Sequence, residues 1–189
     1  FHGRRVKADV YRPDWSEEER VAHTLRLAEL LAVLLPDNET MGTISTVPVT
    51  YRAWGDDDRV TSAAANLAKT LCELRNIEER TGKRIQLLLE PEPDCLLDDA
   101  ESVIAFFNDG LRPALAEESL IRRYAGVCLD LSHAAVVFER PGEMLERLRA
   151  HSIPVGKVHV SAAVRSRTAG RAPDGLAQFT DAVYLHQTR

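Results

Sequence analysis

The stretch 85-IQLLLEPEPD-94 decides the fold. Its apolar run is too short for a helix and is bounded by a charged residue and two prolines, so it reads as a short buried strand. Glu90 closes the run, and Pro91 and Pro93 deny the chain a helix immediately afterwards. Upstream, Leu67, Leu71, Leu74 and Ile77 share one stripe of a helix expected over about residues 61 to 81, with Gly82 placed to end it. Downstream, two helices are expected near 98 to 109 and 114 to 124, split by Pro113. The strand therefore sits between helices.

The same unit recurs along the chain. Further strands are expected at 43 to 49 (TISTVPV), 126 to 131 (GVCLDL), 155 to 161 (VGKVHVS) and 183 to 187 (VYLHQ). A first helix follows "YRPDW": Ser16 and Glu19 have the spacing of a capping box, and Val21, Leu25, Leu27, Leu31 and Leu34 recur at helical spacing until Pro36. Another helix is expected near 141 to 151. Strand starts roughly 30 to 40 residues apart, alternating with helices, predict an α/β fold with a parallel sheet. Doubly wound sheets and (β/α)8 barrels share this pattern. No GxGxxG or GxxxxGK[ST] follows any strand, which removes the main support for a nucleotide-binding open sheet. The expectation is a (β/α)8 TIM barrel, one partial domain over residues 1 to 189. Such barrels take ~250 residues, and this chain opens on Phe1 and stops just after "VYLHQ", so we read it as five or six strands of a larger whole.

Composition narrows the function. A hydrophobic fraction of 44% and a charged fraction of 28% are ordinary for a globular protein. No apolar run of about 20 residues could span a membrane, and no signal peptide is visible, so a cytoplasmic protein is expected. The net charge of -5 disfavours a protein whose work is to hold a phosphate backbone. Cys72, Cys95 and Cys128 are widely spaced with no CxxC pair, and read as reduced, mostly buried thiols.

The chemistry sits at strand exits. In a parallel α/β fold the loops leaving the C-terminal strand ends converge. Glu90 stands at one such exit, with Glu92 as a second carboxylate candidate. Asp130 ends the next strand, and His133 can turn back toward it. In "KVHVSAA", Lys157, His159 and Ser161 share one face while Val158 and Val160 share the other, expected to lie under helices. His186 repeats the pattern in "VYLHQ". Each has a plainer reading: a charge marking a strand end, Asp130 capping a turn beside a surface His133, His159 as a satisfied core histidine. Glu90, Asp130, His159 and His186 at the same ends of successive strands favour a shared divalent-metal site that also takes in His133. Mixed imidazole and carboxylate ligation suits Mn2+, Zn2+, Co2+ or Fe2+ without choosing among them, and the expected cofactor is a divalent ion of the Mn2+, Zn2+, Co2+ or Mg2+ kind. Arg165, Arg167 and Arg171 lie in a Gly- and Pro-containing loop that either clamps an anion or is simply solvated. Trp15, Tyr51 and Trp54 are rim aromatics able to stack on a ligand or to cover the core.

These residues resemble the xylose isomerase-like TIM barrels, which include sugar isomerases, ketose epimerases and endonuclease IV. There a strand-exit Glu, a following Asp-x-x-His and a later strand-borne His supply metal ligands or their neighbours; Glu90, Asp130 with His133, and His159 match them. His186 resembles the additional histidine of the endonuclease branch. More narrowly, "FHGRRVKADVYRPDW", "GTISTVPVTYR", "LEPEP", "CLDLSHAAV", "KVHVSAA" and "YLHQ" together resemble the EboE-type metabolite-traffic proteins. The resemblance implies a metal-dependent isomerase or epimerase acting on a sugar, polyol or its phosphate. Glu90 would be the catalytic base or a ligand, with Glu92, Lys157, Arg165 and Trp54 against the substrate. The alternatives are a protein that binds or processes a secondary metabolite and an endonuclease IV-like repair enzyme. The strand-eight carboxylate of the sugar isomerases would lie beyond Arg189, and the first strands before Phe1.

Overall fold

A computed structural model describes residues 7 to 165 together with Gln187. After a 3-10 turn at Lys7–Tyr11, the elements run α1 (Glu18–Leu34), β1 (Met41–Thr46), α2 (Asp57–Thr81), β2 (Arg84–Leu89), α3 (Ala100–Ala105), α4 (Ser119–Tyr124), β3 (Ala125–Asp130), α5 (Leu131–Val136), α6 (Pro141–Ala150) and β4 (Val155–His159). The four strands form one all-parallel sheet in sequential order, β1-β2-β3-β4. This corrects the expected barrel. Within the described residues β1 and β4 are edges of an open sheet, since four strands about 4.8 Å apart span too short an arc to meet. The expected strand at 183 to 187 lies outside the described residues except for Gln187.

The α/β alternation is as the periodicity predicts. Leu67, Leu71, Leu74 and Ile77 of α2 are buried, and Gly82 ends the helix at φ 70°. They join Ile85, Leu87 and Leu89 of β2 and Ala125, Val127 and Leu129 of β3 in one core. The helices thus cover one face of the sheet. The first helix differs in detail: it begins at Glu18 without a side-chain cap, because Ser16 turns its amide and hydroxyl to Asp14 instead. Its buried stripe is Val21, Thr24, Ala28 and Ala32, and Leu27 and Leu34 are exposed.

The opposite face is a trough. Its floor carries Ser45 of β1, Leu88 and Glu90 along β2, Cys128 and Asp130 of β3, and Lys157 and His159 of β4, residues that the strand register sets side by side. The Lys157 ammonium donates to Ser45 Oγ at 3.0 Å. Those residues stand on opposite edge strands, roughly 14 Å apart in a flat sheet, so the sheet must curl toward this face.

Which side chains of β4 enter the trough is decided by one extra residue. Val127 pairs with Val155, but Cys128 pairs with Lys157, leaving Gly156 as a bulge. Were Gly156 itself paired with Cys128 in regular register, the period of two would turn Lys157 and His159 to the outer face. Leu88 would have to shift for a larger residue at the bulge: a Cβ on Gly156 would lie 2.7 Å from its Cδ2. The expected burial of Val158 and Val160 under helices does not occur. They are 47% and 89% exposed, and no helix among the described residues follows β4.

Candidate metal centre

The trough's C-terminal end gathers five donor side chains from three strands and one short helix. Glu90 follows β2; its amide donates to Thr46 O at 3.0 Å, extending the ladder one residue before Pro91 ends it. Its Oε1 lies 3.2 Å from His159 Nδ1 and 3.9 Å from His133 Nδ1. Asp130 Oδ2 approaches the same His159 nitrogen at 3.5 Å. Two carboxylates therefore converge on one imidazole nitrogen, an arrangement that calls for a proton or a cation between them.

Asp130 divides its two oxygens between structure and site. Oδ1 accepts from the Ser132 amide at 2.8 Å, the Ser132 hydroxyl at 2.7 Å, the His133 amide and the Ser161 hydroxyl. It thereby caps α5 and turns His133 back toward Glu90. Burial would raise the Asp130 carboxyl, but the hydroxyls of Ser161 and Ser132 and the nearby His133 outweigh it and hold it down at about 2. The carboxylate is thus anionic, with Oδ2 left to face the trough.

His133 Nδ1 lies 3.0 Å from the Pro91 carbonyl. A carbonyl only accepts, so Nδ1 is the donor in this contact, which leaves Nε2 as the nitrogen available to a metal.

The fifth donor is Cys128, one pleat period before Asp130 and fully buried. Its Sγ lies 3.6 Å from both ring nitrogens of His159. Burial pushes the thiol up, Ser45 and Lys157 oppose this, and Glu90 adds to it. Two sets of three donors, Glu90 with Cys128 and His159, and Glu90 with Asp130 and His133, each have ligand atoms within 4.8 Å of one another. The residues present fit a divalent cation: anionic and neutral donors of the right types, mutually in reach, with second-shell hydrogen bonds that fix their orientation.

The remaining expected site residues are dispersed. Glu92 points away, its carboxylate accepting from Tyr11 Oη at 2.8 Å and Gln187 Nε2 at 2.7 Å. Trp15 is entirely buried and donates to Thr46 Oγ1, so it serves the core. Tyr51 is stacked on Tyr11 and meets Trp54 edge-on, while Arg12 lies 4.3 Å over the Trp54 ring. These aromatics are already partnered. Arg165 is exposed at the end of the continuous described run. His186, Arg167 and Arg171 lie outside the described residues. Pattern reading missed Cys128, Ser132 and Ser45; the alternation Cys128–Asp130 was the available signal for the first.

No family model matches the chain, and no curated protein matches it. No helix among the described residues is long and apolar enough to cross a membrane.

Proposed function

We propose that the chain carries a divalent-metal-dependent isomerase or epimerase site for a sugar, polyol or sugar phosphate. The observation that supports it most is the meeting of Glu90, Asp130, His133 and His159 at one end of the trough, from positions as far apart as 90 and 159. Glu90, Asp130, His133 and His159 would hold Mn2+, Zn2+, Co2+ or Mg2+. Such an ion supplies polarisation of a substrate carbonyl and its neighbouring hydroxyl.

The chain's own groups account for the rest. Glu90 is the carboxylate placed to take a proton from one carbon and return it to the next, and its 20% exposure leaves it open to a substrate. Lys157, anchored on Ser45, puts an ammonium on the trough floor where it can orient a hydroxyl or a phosphate oxygen. Asp130 stays anionic and keeps His133 and His159 in position.

The test is turnover of a panel of aldoses, ketoses and their phosphates by protein loaded with each of the four metals. Turnover by wild type and its loss by at least about 100-fold in Glu90→Gln support the reading. No turnover by metal-loaded protein at high concentration overturns it.

A further inference from the structure

The buried thiol on the trough floor has no role in the sugar chemistry above, yet it stands where a ligand would. Cys128 is 0% exposed and faces the donor cluster rather than the helix-covered core, because it alternates with Val127 and Leu129. With Glu90 and His159 it forms one of the two three-donor sets, deeper in the trough than the set made by Asp130 and His133 on and beyond the strand exit. The spacings suit coordination. Zn–S of about 2.3 Å and Zn–N of about 2.0 Å, at a tetrahedral angle, put sulfur and nitrogen about 3.5 Å apart. The Cys128 Sγ to His159 distances are 3.6 Å. Zn–O and Zn–N of about 2.1 Å set oxygen and nitrogen about 3.4 Å apart, against 3.2 Å between Glu90 Oε1 and His159 Nδ1.

We infer that Cys128 is a metal ligand, forming with Glu90 and His159 an inner subsite that selects a thiolate-binding ion, Zn2+ or Co2+, over Mn2+ and Mg2+. Thiolate is a soft donor, whereas carboxylate and water suffice for the harder ions. On coordination the sulfur–hydrogen bond breaks heterolytically, the proton leaves to solvent and the sulfur lone pair makes the bond to the metal. The inference rests on the metal-binding reading of the same site and narrows it to an ion class.

Titration of metal-free protein with Co2+, followed by absorption, tests it. Wild type should bind Co2+ with a thiolate-to-cobalt charge-transfer band in the near ultraviolet. Cys128→Ser should lose that band while keeping Cys72 and Cys95. The same variant should weaken Zn2+ roughly 10- to 100-fold and Mn2+ less than about threefold. Stoichiometric Co2+ binding by wild type without the band, or a band unchanged in Cys128→Ser, overturns the inference and leaves the metal-dependent function standing. No Co2+ or Zn2+ binding, with Mn2+ or Mg2+ still bound, overturns the inference alone, and no binding of any of the four ions overturns both. Should Cys128→Ser fail to fold by circular dichroism, zinc-edge X-ray absorption on wild type decides. A sulfur neighbour at about 2.3 Å supports the ligand, and a shell of oxygen and nitrogen alone overturns it.

Discussion

A single carboxylate can be a helix cap and a metal ligand at once because it has two oxygens, and Asp130 uses both. Oδ1 is saturated by Ser132, His133 and Ser161, and Oδ2 faces His159. Asp130→Asn keeps an acceptor for the cap but removes the charge. The metal-free variant should melt close to wild type while retaining little metal on dialysis and elemental analysis. Asp130→Ala should lose metal and also about 1 kcal/mol from the missing cap. A second, fully buried aspartate predicts acid sensitivity. Asp14 is fully buried, and although burial would raise its carboxyl, hydrogen bonds from Ser16 and Thr50 and the Arg59 guanidinium hold it below the usual range. A depressed folded value means that the unfolded chain takes up the proton first as pH falls. The stabilisation is thus complete above the ordinary aspartate range near about 4 and is lost as pH drops toward the folded value. Urea unfolding of wild type and Asp14→Asn should differ most at neutral pH and converge as the pH falls through the depressed folded value; a constant difference would refute the assignment. At this scale, charged groups at strand exits were legible because a carboxylate or imidazole ending an apolar run is conspicuous. Cys128 was not, since between Val127 and Leu129 it reads as one more buried apolar residue. Glu92 misled by proximity: two residues beyond Glu90, outside the ladder, its direction is set by Tyr11 rather than by the pleat.

Among the elements, β4 shows how strand register, including where one residue is left unpaired, fixes which side chains face the trough. The alternation of Lys157, His159 and Ser161 with Val158 and Val160 was visible in the sequence, but alternation alone does not say which set faces the trough. The strand register with its bulge at Gly156 sets that phase, and a side chain at the bulge would push on the Leu88 methyls rather than strain the backbone. Deleting Gly156 should let Lys157 follow Val155 in a regular ladder, still opposite Cys128, so Lys157 and His159 keep the trough face. We expect a folded protein by circular dichroism with metal binding retained; lost metal binding would mean that the bulge itself shapes the site. On the neighbouring strand, a Cβ on Gly126 would meet the Pro154 carbonyl at 2.7 Å, a backbone atom with less freedom than the Leu88 methyls. Gly126→Ala should therefore destabilise more than Gly156→Ala, by about 1 to 3 kcal/mol in chemical denaturation. The helices were legible where apolar spacing is long and regular, as in α2. The six-residue α5 was not, because it is nucleated by the side chain of Asp130 and not by periodicity.

For the whole molecule, the sequence spoke for strand–helix alternation and parallel pairing, both local in origin. Closure into a barrel depends on strand number, and the described residues supply four strands curled into an open trough. The site crosses that trough: donors come from beyond β2, from β3, from α5 and from β4, and Lys157 ties β4 back to Ser45 on β1. The unfolded chain holds these donors far apart, so an ion that binds them together binds the native state almost alone. Mass action then makes metal a stabiliser of the entire sheet, worth about 2.7 kcal/mol when its free concentration is 100 times Kd. Chelator treatment should lower the thermal midpoint of wild type by several degrees, and Zn2+ should restore it. Asp130→Ala and His159→Ala should melt alike with and without metal. Because the ligands sit on successive strands, the loss should appear as one cooperative transition at a lower temperature. A chelator effect equal in wild type and both variants would place the bound metal outside the trough.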